Sequence, residues 1–327
     1  MSAVARVLAT PPGSDPGKAA VDACLTDPRG PESGCLAIVI DHEGHTYARP
    51  GTMVYLPAAG GHVGWISAGC HEARLQQAAA DALREGGAQW LDLDNRDLLD
   101  VFGSGSGCRG RQRVLVLPLA ALSGSAAVLA AWRTGAHGLQ LAGAADGRLR
   151  MRCGEHDRRW TMPGVVAAGD WMLQMTALPR LLCLGAGPES AVLLALLDAL
   201  GWRVEVVEAR ARWQAAATPA ERVQACLPEL PDAAVLLMSH HFETDRAALQ
   251  WLADAPALPP WIGVLGPRRR CEDLLATLPA RVGERLWPHL EAPAGQPVMG
   301  RGAAAIALAL ATRLQALRGD GRFATGA

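Results

Sequence analysis

Two cysteines in the first third of the chain are placed where a thiol could react or bind a ligand. Cys70 ends the segment SAGC, and it is followed directly by an alanine- and leucine-rich stretch that predicts a helix over residues 71–85. Cys108 lies in the glycine-dense segment GCRG. A helix N-terminus stabilises a thiolate, and neighbouring glycines leave room for a ligand. The candidate binding residues in this part of the chain are Cys70, Cys108, Arg49, Gly69 and Gly107.

A second group of candidates forms a glycine turn in the C-terminal half. Gly185 and Gly187 stand between the apolar run LLCL and a predicted helix, where backbone N–H groups can approach a phosphate. Glu208 ends the next apolar run, about 20 residues later, at the position of the acid that binds ribose hydroxyls in a Rossmann unit. Serine replaces the third glycine of that motif, and Pro188 removes one N–H. Phosphate binding and a purely structural turn therefore both remain open.

Histidine and arginine side chains follow two later strands of the same half. His240 comes after the run AAVLLM, and Arg268 and Arg269 come after WIGVL and a Gly-Pro pair. The carboxyl ends of parallel strands open on one edge of a sheet, so these side chains are expected to face the same crevice as Gly187. Guanidinium groups suit a phosphate there, and a histidine can titrate or act as a ligand. A solvated helix face is the alternative for at least one of the arginines.

The elements that must position these residues differ between the two halves. Residues 1–120 combine short strand-like runs with one helix, which predicts a small α+β domain. Residues 121–178 show no strong periodicity and are predicted to be a variable connection with a hairpin. From residue 179 to 327, strand and helix patterns alternate, which is typical of βαβ units on a parallel sheet. We therefore predict an α/β protein with a Rossmann-like C-terminal parallel sheet and a smaller N-terminal α+β domain.

Composition excludes several classes of function. The formal charge of −1, from 31 basic and 32 acidic residues, lacks the basic excess of a protein that binds nucleic acid. The longest apolar stretch, residues 303–311, is far shorter than the roughly 20 residues of a membrane span. Proline and glycine interrupt the first twenty residues before a signal-peptide core can form. We expect a cytoplasmic protein without a nucleic-acid or membrane partner.

The spacing of cysteine and histidine predicts no built-in metal site. The eight cysteines are scattered singly, and the nine histidines show no HExxH or His-x-His spacing. The chain is too long to need a disulfide framework, so reduced thiols are expected. Small buried hydrophobic residues are the interpretation for Cys24, Cys153, Cys183, Cys226 and Cys271.

In this order, these pieces resemble the XdhC/CoxI family, the accessory proteins that help to mature xanthine dehydrogenase and related molybdenum hydroxylases. The segments that carry the resemblance are YARPGTMVYL, VGWISAGCHEARL, GCRG before VLVLPL, RLLCLGAG, WRVEVVEAR, LLMSHHFETD and WIGVLGPRRR. They span most of the chain. The family pattern has glycine where this chain has Ala68 and Arg109, and histidine where it has Pro188.

The resemblance implies an accessory protein without turnover of its own. Such a protein binds molybdenum cofactor (molybdopterin) transiently, assists its sulfuration, and inserts it into a molybdenum hydroxylase such as xanthine dehydrogenase. A cysteine desulfurase is an implied partner, and a bound nucleotide and a homodimer stay open. Two alternatives remain: a nucleotide-dependent oxidoreductase that uses the Rossmann domain, and a non-catalytic interaction module that has lost the ligand.

Overall fold

The chain folds into two compact units, one up to Leu178 and one from Pro179 onward. The computed structural model describes residues 6–9, 17–94, 110–165, 169–219, 221, 231–297 and 300–323. The helices of the first unit are α1 (Lys18–Leu25), α2 (Glu72–Glu85) and α3 (Ser125–Thr134). Its strands are β1 (Arg6–Ala9), β2 (Cys35–Gly44), β3 (Met53–Leu56), β4 (Gln89–Asp94), β5 (Gly110–Pro118), β6 (Leu139–Gly143), β7 (Arg148–Cys153), β8 (His156–Thr161) and β9 (Trp171–Met175).

Two sheets build the first unit. One is antiparallel with the order β3-β2-β5-β4, and the other has the order β1-β9-β6-β7-β8, in which only β1 and β9 are parallel. Strand β2 is buried on both faces, so alternate residues serve two cores. Leu36 and Ile38 join a core shared with α1, α3 and the second sheet, whereas Ala37 and Val39 pack with α2.

Residues 121–178 belong to the core of this first unit. They contain α3 and the four strands β6 to β9. Trp132 of α3 is fully buried, and its indole N–H donates to the carbonyl oxygen of Thr176 at 3.1 Å. Leu141, Met151 and Leu173 lie in the same apolar cluster as Leu36 of β2.

The second unit is a parallel sheet with helices on both faces. Its strands are β10 (Arg180–Leu184), β11 (Arg203–Val207), β12 (Ala233–Leu237), β13 (Trp261–Val264) and β14 (Leu290–Glu291), and all neighbours in the order β11-β10-β12-β13-β14 are parallel. The helices are α4 (Ser190–Ala199), α5 (Phe242–Asp254), α6 (Arg268–Ala276), α7 (Ala280–Leu286) and α8 (Ala303–Gly319). The predicted fold class is confirmed: a Rossmann-like parallel sheet follows an N-terminal part that mixes helices with largely antiparallel sheets.

Two apolar clusters hold the helices of the second unit to the sheet. Leu193 and Leu197 of α4 pack with Leu310 and Leu314 of α8 on one face. On the other face, Leu249 of α5, Leu274 of α6 and Val282 of α7 pack on Val235 and Ile262. Strand order reverses between β10 and β12, and this reversal leaves a crevice at the carboxyl ends of the strands.

No described helix combines the length and the apolar character that crossing a lipid bilayer requires.

Candidate functional site

A pocket of about 820 Å³ opens at the point where the strand order reverses in the second unit. It lies at the carboxyl ends of β10, β11 and β12, beside the first turns of α5. Its lining consists of Leu182, Leu184, Gly185, Val207, Glu208, Ala209, Arg210, Arg212, Ser239, His240, His241, Thr244, Ala247, Ala248 and Trp251. This is the place where doubly wound α/β proteins bind their ligands.

The floor of the pocket is apolar. Leu182 and Leu184 lie on the face of β10 that packs toward α5. Val207 and Trp251 are 42% and 40% exposed, although large apolar side chains are usually covered in a folded protein. A planar ring stacked on Trp251 would bury this exposed surface, and burial of apolar surface favours binding.

Glu208 binds the glycine loop from the end of β11. One carboxylate oxygen accepts from the N–H of Ala186 at 2.8 Å, and both oxygens accept from the guanidinium group of Arg210 at 2.9 and 2.5 Å. The N–H of Arg210 donates to the carboxylate as well, at 2.7 Å. The hydrogen bonds from the Arg210 side chain lower the pKa of Glu208 to about 2. Glu208 is therefore an ionised carboxylate that is already well supplied with donors.

The two glycines of the loop have different neighbours. A Cβ atom on Gly185, whose φ is 102°, would lie 2.3 Å from the Cα of Ser239, because the ends of β10 and β12 approach closely there. A Cβ atom on Gly187 would lie 2.4 Å from Oε1 of Glu189 and 2.6 Å from Nε2 of His240. Gly185 therefore permits a backbone contact, whereas the space beside Gly187 holds two polar side chains.

His240 and Glu189 form a polar pair beside this loop. Nε2 of His240 lies 3.1 Å from Oε1 of Glu189, whose side chain is only 3% exposed, whereas the imidazole is 47% exposed. His240 has a φ of 56° and is the one non-glycine residue with positive φ among those described. Strained backbone of this kind is concentrated at functional sites, since the surroundings must hold it in place.

Ser239 and Asp245 connect the end of β12 to two helices. The Ser239 hydroxyl donates to Oδ1 of Asp245 at 2.5 Å, and Arg270 donates to Oδ2 of the same carboxylate at 2.7 Å. Asp245 is 1% exposed. Arg270 lies on α6 and Asp245 lies on α5, so this ion pair holds the two helices together.

The arginines that line the pocket come from the segment after β11. Arg210 and Arg212 are both in the lining, and Arg212 is exposed, with its guanidinium group 5.7 Å from the ring centre of Trp213. Arg268 and Arg269 are described and exposed but do not belong to the lining. Arg268 pairs with Glu272 at 2.9 Å and lies over the ring of Trp287 at 5.4 Å.

The N-terminal candidates lie in the first unit. Cys70 is an exposed thiol one residue before the N-cap of α2. Gly69 precedes it with a φ of 108° and open space around its Cα. Ser67 and the N–H of His71 both donate to Glu72, at 2.7 and 3.0 Å, which fixes the beginning of the helix behind the thiol. Arg49 donates to the hydroxyl of Thr46 at 3.3 Å in the turn between β2 and β3.

The other cysteines divide into buried thiols and positions outside the described residues. Burial raises the pKa of Cys24, Cys35 and Cys183 to about 12 and that of Cys153 to about 11, so these thiols are unreactive at neutral pH. Cys271 is buried too. The candidates Cys108 and Gly107, together with Cys226, lie outside the described residues. Within the described part of the chain, no group of three or more His, Cys, Asp or Glu side chains is arranged to hold a metal ion.

Sequence comparison assigns both units to one family. A model of the XdhC Rossmann domain matches residues 181–314, and a model of the XdhC and CoxI family matches residues 29–94. Together they cover more than half of the chain. The chain belongs to the XdhC and CoxI family. The XdhC Rossmann match contains every residue of the pocket lining, and the other match contains Cys70.

A solved structure shares the fold of this XdhC and CoxI family member. It is described as a xanthine dehydrogenase from Bacillus halodurans and is 22% identical in sequence, with a TM-score of 0.70. The match covers 92% of this chain and 95% of that chain. No curated protein sequence gives a significant match. At this identity the similarity establishes the fold of both units.

Sequence reasoning placed Gly185, Gly187, Glu208, His240 and Arg268 of this XdhC Rossmann domain at one crevice. The structure brings Gly185, Glu208 and His240 together in the pocket lining, whereas Gly187 and Arg268 are not part of that lining. Sequence reasoning missed Arg210 and Arg212, which follow Glu208 in the segment EARAR. The sequence signal for these arginines was their position at every second residue after Glu208, which follows the end of β11. Glu189 and Trp251 gave no such signal, because a helix-capping carboxylate and a helix-surface tryptophan are ordinary in sequence.

Proposed function

We propose that this chain is a maturation accessory protein that binds molybdenum cofactor and passes it to a molybdenum hydroxylase of the xanthine dehydrogenase type. Membership of the XdhC and CoxI family supports a role in the maturation of such an enzyme. The observation that carries the proposal is the pocket at the carboxyl ends of β10, β11 and β12. Its apolar floor and arginine-bearing rim match a planar ring with an anionic group.

The residues of the pocket fit the organic part of the cofactor. Molybdopterin carries a flat pterin ring system and a phosphate. Leu182, Leu184 and Trp251 offer an apolar surface to the ring, and Arg212 offers a guanidinium group to the phosphate. A volume of about 820 Å³ is within the range of pockets that bind small molecules and cofactors.

The first unit contains an exposed thiol that could take part in cofactor maturation. Cys70 is an exposed thiol that lies one residue before the N-cap of α2. A thiolate is a soft ligand that binds molybdenum and accepts sulfur from a persulfide. We therefore assign Cys70 to the sulfuration step, as the thiol that accepts sulfur from the persulfide of a cysteine desulfurase and leaves the desulfurase with a free thiolate. When the cofactor is bound to the client enzyme, it supplies the redox chemistry there.

Retention of released cofactor tests the proposal. The purified chain is incubated with cofactor released from a molybdenum enzyme, separated from unbound material, and oxidised so that bound pterin is detected by fluorescence. We expect near-stoichiometric pterin with the wild type and background levels with serum albumin. We expect Cys70→Ser to reduce activation of an apo-hydroxylase at least tenfold, whereas Cys24→Ser, at a buried thiol of the same unit, leaves the activation of the folded protein unchanged. Pterin retention no higher than with albumin would refute the proposal.

A further inference from the structure

We infer that the chain's own side chains close its glycine loop to a diphosphate, and that the pocket instead selects a ligand with a single phosphate monoester, bound by Arg212. This inference rests on the proposed function and specifies the chemical class of the ligand.

The N–H groups of Ala186 and Gly187 in the glycine loop already donate to side chains of this chain. In dinucleotide-binding units, the N–H groups of the glycine turn and the helix N-terminus bind the pyrophosphate. Here the N–H of Ala186 donates to Glu208 at 2.8 Å, and the N–H of Gly187 donates to the Ser190 hydroxyl at 2.9 Å. Pro188 has no N–H to offer. Three successive positions of the turn therefore offer no N–H to a ligand.

The space that a pyrophosphate would fill is occupied as well. The second glycine of the motif is needed so that the phosphate can approach the backbone. At Gly187 that space contains Oε1 of Glu189 and Nε2 of His240, which would lie 2.4 and 2.6 Å from an added Cβ atom. Glu189 is 2% exposed, and it precedes α4 directly. Its carboxylate thus occupies the place of a phosphate at the helix N-terminus and repels a second anion.

Glu208 is equally unsuited to binding a ribose diol. A carboxylate offers about four acceptor positions. In Glu208, one oxygen accepts from the backbone and Nε of Arg210, and the other accepts from Ala186 and Nη2 of Arg210. A ribose would have to displace Arg210, which also donates to the carbonyl oxygen of Ala186 at 2.7 Å.

Arg212 is the cation left for a ligand. The charge of Arg210 is balanced by Glu208, whereas Arg212 forms no ion pair with a described carboxylate. Arg212 is exposed and lies in the pocket lining near the apolar floor. One unpaired guanidinium group binds one phosphate through charge-assisted hydrogen bonds. The ligand that fits is a ring compound with a terminal monophosphate.

Three forms of one fluorescent pterin test this selectivity with the full-length protein. All three carry the fluorescent pterin that forms when the cofactor is oxidised. The first has a free alcohol on the side chain, the second has a phosphate monoester there, and in the third that phosphate is joined to a nucleotide through a diphosphate. We expect fluorescence anisotropy to give at least tenfold tighter binding of the monoester than of either other form. Arg212→Ala should remove the advantage of the monoester over the alcohol. Arg281→Ala, at an exposed arginine of α7, is the matched control, and this variant should still bind the monoester more tightly than the alcohol.

A separate variant tests the role of Glu189. Glu189→Gln keeps the size of the side chain and removes its charge, so we expect the preference for monoester over diphosphate to fall at least threefold. Glu243→Gln, which removes an exposed carboxylate paired with Arg246, should leave that preference unchanged. Equal wild-type affinity for the monoester and the diphosphate form would overturn the inference even if Glu189→Gln does not fold. Retained cofactor without discrimination among the three forms would refute only this inference, whereas no retention of cofactor and no pterin binding would refute the proposed function too.

Discussion

Gly185 shows how closely the backbone of the pocket is packed. Its N–H donates to the carbonyl oxygen of Val207 at 2.9 Å, and its Cα faces the backbone of Ser239 across the strand ends. Its positive φ of 102° is in a region that favours glycine. Two independent constraints, the backbone conformation and the lack of space, therefore require glycine at this position.

Gly185→Ala should destabilise the second unit by about 3 kcal/mol, since the added methyl group meets backbone atoms that cannot rotate away. A matched control is Gly283→Ala in α7, where nothing lies within 4 Å of the added atom. The control should be about 1 kcal/mol more stable than the wild type, because alanine is the better helix former. Urea unfolding followed by circular dichroism measures both changes. Equal stability of the two variants would contradict this account of Gly185.

Residue types alone could not reveal which partners a site residue has. The strand-end position of Glu208 was visible in the sequence, and so was the alternation of arginines after it. The four hydrogen bonds that occupy its carboxylate depend on how the turn after β11 folds back over Ala186. A functional position could therefore be predicted, whereas its free acceptor capacity could not.

At the scale of elements, the C-terminal half was the more predictable part. Strands β10, β12 and β13 are short, mainly apolar runs that are largely buried, and longer connections that contain helices separate most strands of this sheet. Residues 121–178 were harder, because β8 is mostly polar and carries Arg158 and Arg159 in succession, which interrupts the alternating pattern that β7 shows. Strand β1, at the edge of the same sheet, pairs with β9, more than 150 residues away. Such distant pairing leaves no local pattern in the sequence.

Asp245 holds three elements together, so its replacement should affect more than one of them. Asp245→Asn removes the charge that Arg270 binds and weakens the acceptor for Ser239, while the size of the side chain is unchanged. Loss of hydrogen bonds to a buried charged group costs about 2 kcal/mol. The control, Asp254→Asn, changes an exposed carboxylate in the last turn of the same helix and should cost less than about 0.5 kcal/mol. Urea midpoints that shift equally in the two variants would show that Asp245 does not connect α5 to α6.

The whole molecule is built from two units whose cores are separate among the described residues. The two apolar clusters on the faces of the parallel sheet take all of their residues from Leu181 onward. The clusters of the antiparallel sheets take theirs from positions up to Leu178. Every residue of the pocket lining lies after Pro179 as well. The proposed thiol, Cys70, belongs to the other unit.

A chain that begins at Pro179 and ends at Ala324 should therefore fold by itself and keep the pocket. Both faces of its sheet have their own apolar cluster, so the unit satisfies the requirement of an independent core. We expect a single cooperative unfolding transition and an affinity for the pterin phosphate monoester within about threefold of that of the full-length protein. Activation of an apo-hydroxylase should be lost, since Cys70 is absent. Circular dichroism and fluorescence anisotropy measure the first two properties. A non-cooperative transition would show that the second unit needs the first to fold, and a folded fragment that does not bind the monoester would place the ligand outside this pocket.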